Sequence, residues 1–161
     1  MSLKSSILFL LIAFVLFSCD KKRVFDEYKS VGDGWKKDSI ATFAFEQKDT
    51  LKPYDLFVNI RNNDAYQFSN LFLIVAMEQP SGLTKVDTLE YQMTNPDGTL
   101  LGDGFTDIKE SKLFYKEKFR FPQKGNYKVR IQQAVRQTGK IPGVQTLEGV
   151  TEVGFRIESL Q

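Results

Sequence analysis

The sequence predicts an all-β protein, an antiparallel β-sandwich of about 7–9 strands, with a closed barrel as the alternative. Three observations predict this class. Apolar and polar residues alternate with a period of two in most segments, which is typical of half-buried strands. Clusters of turn-forming residues separate these segments. No segment sustains the 3.6-residue period of an amphipathic helix.

The predicted elements follow in chain order. The alternating segments are residues 42–46, 54–61, 86–93, 113–121, 127–132 and 152–158. Residues 71–77 are an uninterrupted apolar run, which predicts a strand buried on both faces. Turns are predicted where Pro, Gly, Asn and Asp cluster, at residues 52–53, 62–64, 80–82, 95–98 and 122–126. Asp107 and Glu110 have the spacing of one capped helical turn.

Composition limits the possible functions. The chain has 161 residues, of which 42% are hydrophobic, so we expect one folded domain rather than a disordered chain. Lys plus Arg is 22 and Asp plus Glu is 20, and a net charge of +2 gives no reason to expect nucleic acid as a partner. The chain has no histidine and one cysteine, which excludes imidazole bases, Ser-His-Asp triads and thiolate metal clusters.

Enzymatic chemistry has little support in the motifs. The sequence has no glycine-rich phosphate loop and no Gly-x-Ser-x-Gly element. Two carboxylates could form a hydrolase pair, but 20 acids give no basis for choosing them. We therefore expect no catalysis and no metal or other cofactor.

The N-terminus has the features of a secretory signal. Lys4 precedes eleven apolar residues, 7–17, which is shorter than the run of about 20 that a spanning helix needs. Residues 16–19, Leu-Phe-Ser-Cys, resemble the bacterial lipobox. That resemblance implies cleavage before Cys19, a diacylglycerol on its sulfur and an acyl chain such as palmitate on its amino group. The alternative is a secreted soluble protein with a free thiol.

The predicted organisation has three parts. Residues 1–18 are a lipoprotein signal peptide that is removed, 19–38 are a lipid-anchored tether, and 39–161 are a single β-sandwich domain. The basic run 21–23 either rests on anionic headgroups or is part of a solvated tether. Trp35 is either a docking residue or closes one end of the core.

One candidate site is a basic face. A loop at 122–126 would join two strands as a hairpin and would place like charges opposite one another. Either acidic side chains of a neighbouring strand, Glu152 and Glu158, neutralise them, or an anionic partner does. The four residues of this predicted face are Lys118, Arg120, Lys128 and Arg130.

A second candidate is the loop from residue 95 to residue 107. Asp97, Asp103 and Asp107 stand among glycines, which is compatible with a calcium loop or with ordinary turn chemistry. Their spacing does not match the EF-hand pattern.

Short motifs occur in a fixed order after the lipobox. They are residues 54–62 (YDLFVNIRN), 68–75 (FSNLFLIV), 87–91 (DTLEY), 102–105 (GDGF), 107–110 (DIKE), 133–136 (QAVR) and 153–157 (VGFRI). Together they resemble the GldH family of gliding-motility lipoproteins of Bacteroidetes-type bacteria, from about Trp35 to Glu158.

This resemblance implies a non-enzymatic lipoprotein of the outer membrane, facing the periplasm. Its expected partners are other envelope proteins of gliding motility and the associated type IX secretion, and its expected action is protein–protein docking. Cys19 is the only site residue that the resemblance supplies. The alternative function is a lipid-anchored module that binds a glycan or an anion through the predicted basic face.

Overall fold

The structure is a computed structural model and describes residues 20–104 and 106–160. Ten strands occur in this order: β1 (Arg23–Ser30), β2 (Gly34–Lys36), β3 (Ala41–Gln47), β4 (Tyr54–Asn62), β5 (Asn70–Glu78), β6 (Thr84–Gln92), β7 (Lys109–Phe119), β8 (Gly125–Gln133), β9 (Thr146–Glu148) and β10 (Val150–Ser159). The first sheet has the order β1-β10-β4-β7 and the second sheet β3-β8-β5-β6. All pairs are antiparallel, and β2 pairs with β9 as a separate ribbon.

The predicted all-β sandwich is confirmed. Within the described ranges none of the three sheets closes on itself, so the barrel alternative is wrong. The count of ten exceeds the expected range because two strands have only three residues each. Across the same ranges, no helix is long and apolar enough to cross a bilayer.

An aromatic cluster joins the inner faces of the two sheets. Phe155 of β10 lies with its ring centroid 6.1 Å from that of Phe43 and 6.0 Å from that of Phe45. Phe45 also stacks on Tyr127, with 5.6 Å between centroids. Phe rings carry no polar group, so they fill the space between the sheets without needing hydrogen-bond partners.

The strand that is buried on both faces is β4, not β5 as the apolar run predicted. In β5 only alternate residues are buried, because no other layer of the described residues covers the outer face of the second sheet. In β4, Phe57 and Asn59 point outward and are still buried. Neighbouring strands supply the cover: the ring of Phe114 lies 4.5 Å from Phe57, and Asn59 lies under Tyr28.

Part of the segment expected to be a tether, residues 19–38, belongs to the folded domain. Residues Arg23–Ser30 form an edge strand paired with β10. Phe25 packs on Phe45 with 5.4 Å between ring centroids, so this strand contributes to the core. Trp35 is fully buried and its indole nitrogen donates to the Ser39 carbonyl at 2.7 Å. Of its two interpretations, the structure therefore supports the one in which Trp35 closes an end of the core.

The predicted turns are present, and the predicted helical turn is not. Gly82 and Gly98 have φ of 85° and 86° and donate to the carbonyls of Gln79 and Asn95 at 2.8 and 2.9 Å. Glu110 lies in β7, and its backbone exchanges two hydrogen bonds of 2.8 Å with Asp103. Strand pairing thus satisfies the backbone N–H group of Glu110 that a helix cap would otherwise have bonded.

The register of the strands gives the sandwich two distinct ends. The N-terminal end consists of residues 20–22, the loops 48–53, 79–83 and 120–124, and Leu160, because β1, β4, β6 and β8 begin there. The opposite end consists of the segments 31–33, 63–69, 93–104 and 134–145. Any partner of the protein meets different chemistry at these two ends.

Candidate functional site

The N-terminal end is strongly basic. The predicted lipidation site, Cys19, lies outside the described residues, and Asp20 is the first residue described. Eight exposed Lys and Arg side chains lie in or beside the segments of this end: Lys21, Lys22, Arg23, Lys48, Lys52, Lys118, Arg120 and Lys124. Leu51 is 80% exposed among them. Cations around exposed apolar groups suit an anionic lipid surface.

The structure does not assemble the predicted basic face. β7 pairs with β4 in the first sheet, whereas β8 pairs with β3 and β5 in the second, so the expected β7–β8 hairpin is wrong. The chain crosses between the sheets after Lys118, a non-glycine residue with φ of 48° whose backbone nitrogen donates to Asp55 at 2.8 Å. Phe121 is buried just beyond and packs edge-on against Tyr127, which makes the crossing favourable.

The four cations consequently have separate surroundings. Lys118 and Arg120 belong to the N-terminal end, and Lys128 and Arg130 lie on the outer face of the second sheet. The guanidinium of Arg130 contacts Glu78 at 3.0 Å. The predicted neutralising acids are engaged elsewhere: Glu152 with Arg61 at 2.7 Å, and Glu158 with Lys112 at 2.6 Å. The like-charge pairing that motivated an anionic partner is absent from the described strands.

The outer face of the first sheet holds an ordered polar cluster. Arg61 bridges Glu110 and Glu152, and its guanidinium carbon lies 4.1 Å from the ring centroid of Tyr28. Tyr28 donates its hydroxyl to Glu110 at 2.9 Å and accepts from Asn59 at 2.9 Å. Burial, together with the hydrogen bond to Glu110, raises the pKa of Tyr28 to about 12. These contacts rigidify the face and leave its charges paired.

Arg156 organises the adjoining part of this face. It contacts Asp26 at 2.8 Å and Glu158 at 2.6 Å, and it also pairs with Asp20. Burial would raise the pKa of Glu158, but hydrogen bonds from Lys112 and Arg156 hold it below its ordinary value. The first residue described is thus fastened to a half-buried arginine of the sheet.

The opposite end carries an open cleft of about 820 Å³. The loop before β5, the end of β6 and the loop after β8 form its walls. Its lining is rich in amides and also has a carboxylate, a guanidinium and an aromatic ring, from Gln67, Phe68, Asn70, Glu90, Gln92, Asn95 and Arg136. Such a mixture suits a polar partner that presents many hydrogen-bonding groups.

Internal hydrogen bonds hold the amides of the cleft in place. Asn70 donates to the carboxylate of Glu90 at 2.8 Å, and Gln92 donates to the Thr94 carbonyl at 2.8 Å. Asn95 donates to the Thr99 hydroxyl at 3.0 Å. Each of these three amide nitrogens donates one hydrogen bond within the protein. An amide has a second N–H and a carbonyl oxygen, so the oriented amides can both donate to and accept from a partner.

Sequence reasoning missed this cleft. Its residues come from three separated parts of the chain, around the start of β5, the end of β6 and the loop after β8, and no spacing rule connects them. The available signal was a polar position beside an apolar run, since Asn70 directly precedes residues 71–77. The aspartate loop, by contrast, uses turn chemistry: Asp97 accepts from the nitrogen and the hydroxyl of Thr99, at 3.0 and 2.6 Å.

Comparison with known proteins gives matches over almost the whole chain. Residues 23–157 match the family model described as GldH lipoprotein. The chain is 68% identical over 158 residues to the gliding motility lipoprotein GldH of Flavobacterium johnsoniae, with 98% of each chain covered. It is 54% identical over 154 residues to a gliding motility lipoprotein GldH homolog of Christiangramia forsetii, covering 95% of this chain and 94% of that one.

Similarity to solved structures is distant. A family GH115 4-O-methyl-alpha-glucuronidase matches with a TM-score of 0.46 and 12% identity. The match covers 89% of this chain, which spans only 18% of the length of that enzyme chain.

Proposed function

The chain belongs to the GldH lipoprotein family, and from that premise we propose that it is an outer-membrane lipoprotein of the gliding motility apparatus that acts by docking onto other envelope proteins. The proposal has three parts. The protein is held to the membrane by lipid on Cys19, it faces the periplasm, and its partners belong to gliding motility and the associated type IX secretion.

The basic N-terminal end supports attachment at Cys19. Asp20 pairs with Arg156, so the residue after the proposed anchor already lies against the first sheet. Exposed lysines and Leu51 lie at the same end of the sandwich. Diacylglycerol and an acyl chain bury enough methylene groups for stable anchoring, because each adds about 0.8 kcal/mol.

The observation that carries the docking proposal is the position of the polar cleft. It lies at the end of the sandwich opposite residue 20, so a protein anchored at Cys19 would present it away from the membrane. Oriented amides beside the Arg136 guanidinium suit a protein segment that supplies backbone N–H and C=O groups together with a carboxylate.

We also propose that the protein has no catalytic activity of its own. Composition supports this, since the chain has no histidine and a single cysteine, which the anchor would consume. The docking role requires only a rigid scaffold, and the paired charges of the first sheet fit that requirement.

Complementation of a deletion strain tests the docking role. Arg136→Ala, which removes the guanidinium of the cleft, should abolish surface spreading and the co-purification of motility lipoproteins from gently solubilised membranes. Lys140→Ala removes an exposed cation of the same loop that does not line the cleft, and it should restore both. Immunoblots establish equal protein levels. Full rescue by Arg136→Ala, or recovery of the wild-type protein alone, would contradict the proposal.

Mass spectrometry of the N-terminal peptide tests the anchor. A peptide that begins at Cys19 and carries diacylglycerol and an acyl chain is expected, and fractionation should place the protein in the outer membrane. An unmodified thiol on a protein that washes off membranes would refute the anchor without affecting the cleft.

A further inference from the structure

The outer edge of β6 is regular, and no strand of the described residues pairs with it. β6 pairs with β5 along its whole length without a register shift, and it is the edge strand of the second sheet. Gln79 donates to Leu83, and Met93 donates to Ser69, each at 2.8 Å. Because antiparallel pairing alternates, the odd-numbered residues of β6 bond to β5 and the even-numbered residues direct their N–H and C=O groups outward.

This edge lacks two of the features that protect exposed strands, since residues 83–89 contain no proline and no bulge interrupts them. Its charges, Lys85 and Asp87, would oppose pairing with most strands but not with a strand that presents the opposite charges. Val86 is 61% exposed and Leu83 is 56% exposed. Such an edge is a template for pairing with another strand.

Residues 83–89 are complementary to themselves. Their sequence is Leu-Thr-Lys-Val-Asp-Thr-Leu, which reads the same in both directions except that Lys and Asp exchange places. An antiparallel copy centred on Val86 therefore places Lys85 opposite Asp87, with identical residues opposite one another at the other positions. In this register Val86 also pairs with Val86, and Thr84 pairs with Thr88, through their outward backbone groups. Each of these pairs can form two hydrogen bonds.

The neighbouring registers are unfavourable. Shifting the register by one residue would place the outward N–H and C=O groups of one copy opposite N–H and C=O groups of the other copy that already bond to β5. The next register with matching groups, centred on Lys85 or on Asp87, places two like charges opposite each other, which destabilises strand pairing. Asp87 already accepts from Tyr115 and pairs with Lys116, both through its Oδ2 atom, at 2.7 and 3.0 Å. Lys85 of a second copy would therefore approach the other carboxylate oxygen, Oδ1.

We propose that two copies of the chain associate through β6 about a two-fold axis at Val86, which joins their second sheets into one continuous eight-stranded sheet. The partner is a second copy because segment 83–89 is complementary to itself, so that an identical strand provides Asp87 for Lys85 and Lys85 for Asp87 at the same time. The cleft residues named above are not part of this pairing, so the dimer presents two clefts.

Mass measurement of the full chain purified in detergent tests the dimer. Wild type should be dimeric, and Val86→Lys, which places two ammonium groups on the axis, should be monomeric. Val24→Lys is the matched control, since Val24 is 52% exposed on β1, and it should stay dimeric.

Lys85→Asp should weaken association at least about tenfold, because it places a like charge opposite Asp87 at two symmetry-related positions. Lys140→Asp, with the same change of charge elsewhere, should not.

Cross-linking in native membranes supplies a second measurement. Val86→Cys should form a dimer of this chain with a short bis-maleimide, and Val24→Cys should not. A Val86→Cys dimer in membranes supports the proposal even if detergent separates the copies. A wild-type dimer unaffected by Val86→Lys, a Val86→Cys adduct with a different protein, or no dimer in either measurement would overturn it.

Discussion

Gly154 lies directly beneath the ring of Tyr28, so that a β-carbon at position 154 would come within 2.9 Å of two ring carbons. The two residues are partners in the β1–β10 register. Glycine is thus required by the neighbouring ring, since φ at this position is not in the left-handed region. We expect Gly154→Ala to lower the free energy of unfolding by about 1–3 kcal/mol through overpacking, measured by denaturant titration.

A double-mutant cycle is the control for this prediction. Tyr28→Ala removes the ring, and in that background Gly154→Ala should cost little or nothing. An equal cost in both backgrounds would show that the ring is not the obstacle.

Arg156→Met should destabilise the first sheet. The change leaves Asp26 and Glu158, whose side chains are 15% and 13% exposed, without their shared cation. We expect a loss of about 2 kcal/mol in the free energy of unfolding, less than for a fully buried pair because solvent screens this one. Arg23→Met, at an exposed arginine of β1, should stay within about 0.5 kcal/mol of wild type. Similar values for both variants would contradict the role of Arg156.

Stability should fall in alkali. The pKa of Tyr28 rises from 10.0 to about 12 on folding, so between these values the unfolded chain has lost a proton that the folded chain keeps. The stabilisation is complete below pH 10 and is lost as the pH rises through 12. Denaturant midpoints at pH 8, 10 and 11 measure it. Tyr28→Phe removes this group, and its midpoint should decline less steeply; parallel declines would refute the assignment.

Trp35→Phe should destabilise the ribbon at the opposite end. The change leaves the Ser39 carbonyl without the indole N–H that donates to it at 2.7 Å, and it leaves a small void. We expect the free energy of unfolding to fall by about 1–3 kcal/mol. Circular dichroism during thermal unfolding measures it. Trp35 is the only tryptophan, so the wild-type emission should shift to longer wavelength on unfolding. Emission already typical of exposed indole in the native protein would contradict burial.

Alternation within strands was predictable because one side of each strand meets the core. Phe43, Val129 and Phe155 alternate with polar residues in the sequence and are buried as expected. The alternation did not predict which outward-facing side chains are buried by residues from other strands. Asn59 is polar in the pattern but buried, because Tyr28 from a strand 31 residues away lies over it.

The candidate sites differ in predictability for a related reason. A run such as residues 21–23 is visible in the sequence, but the basic N-terminal end also contains Lys48 from the loop after β3 and Lys118 from the last part of β7. The predicted basic face was wrong because a five-residue loop suits both a hairpin and a crossing between sheets. Burial of Phe121 against Tyr127 selects the crossing, and that contact is tertiary.

The attachment of residue 22 to the C-terminal strand limits how far the domain could travel. Ser159 donates to the Lys22 carbonyl at 2.8 Å, so only three peptide links separate Cys19 from backbone that is already fixed. At about 3.5 Å per residue, the slack is roughly 10 Å. The longest strand has 11 residues, about 37 Å at about 3.4 Å per residue. A lipid on Cys19 would allow the domain to rotate but would keep it next to the membrane. Its binding partners would therefore have to approach the bilayer to within about the length of the domain.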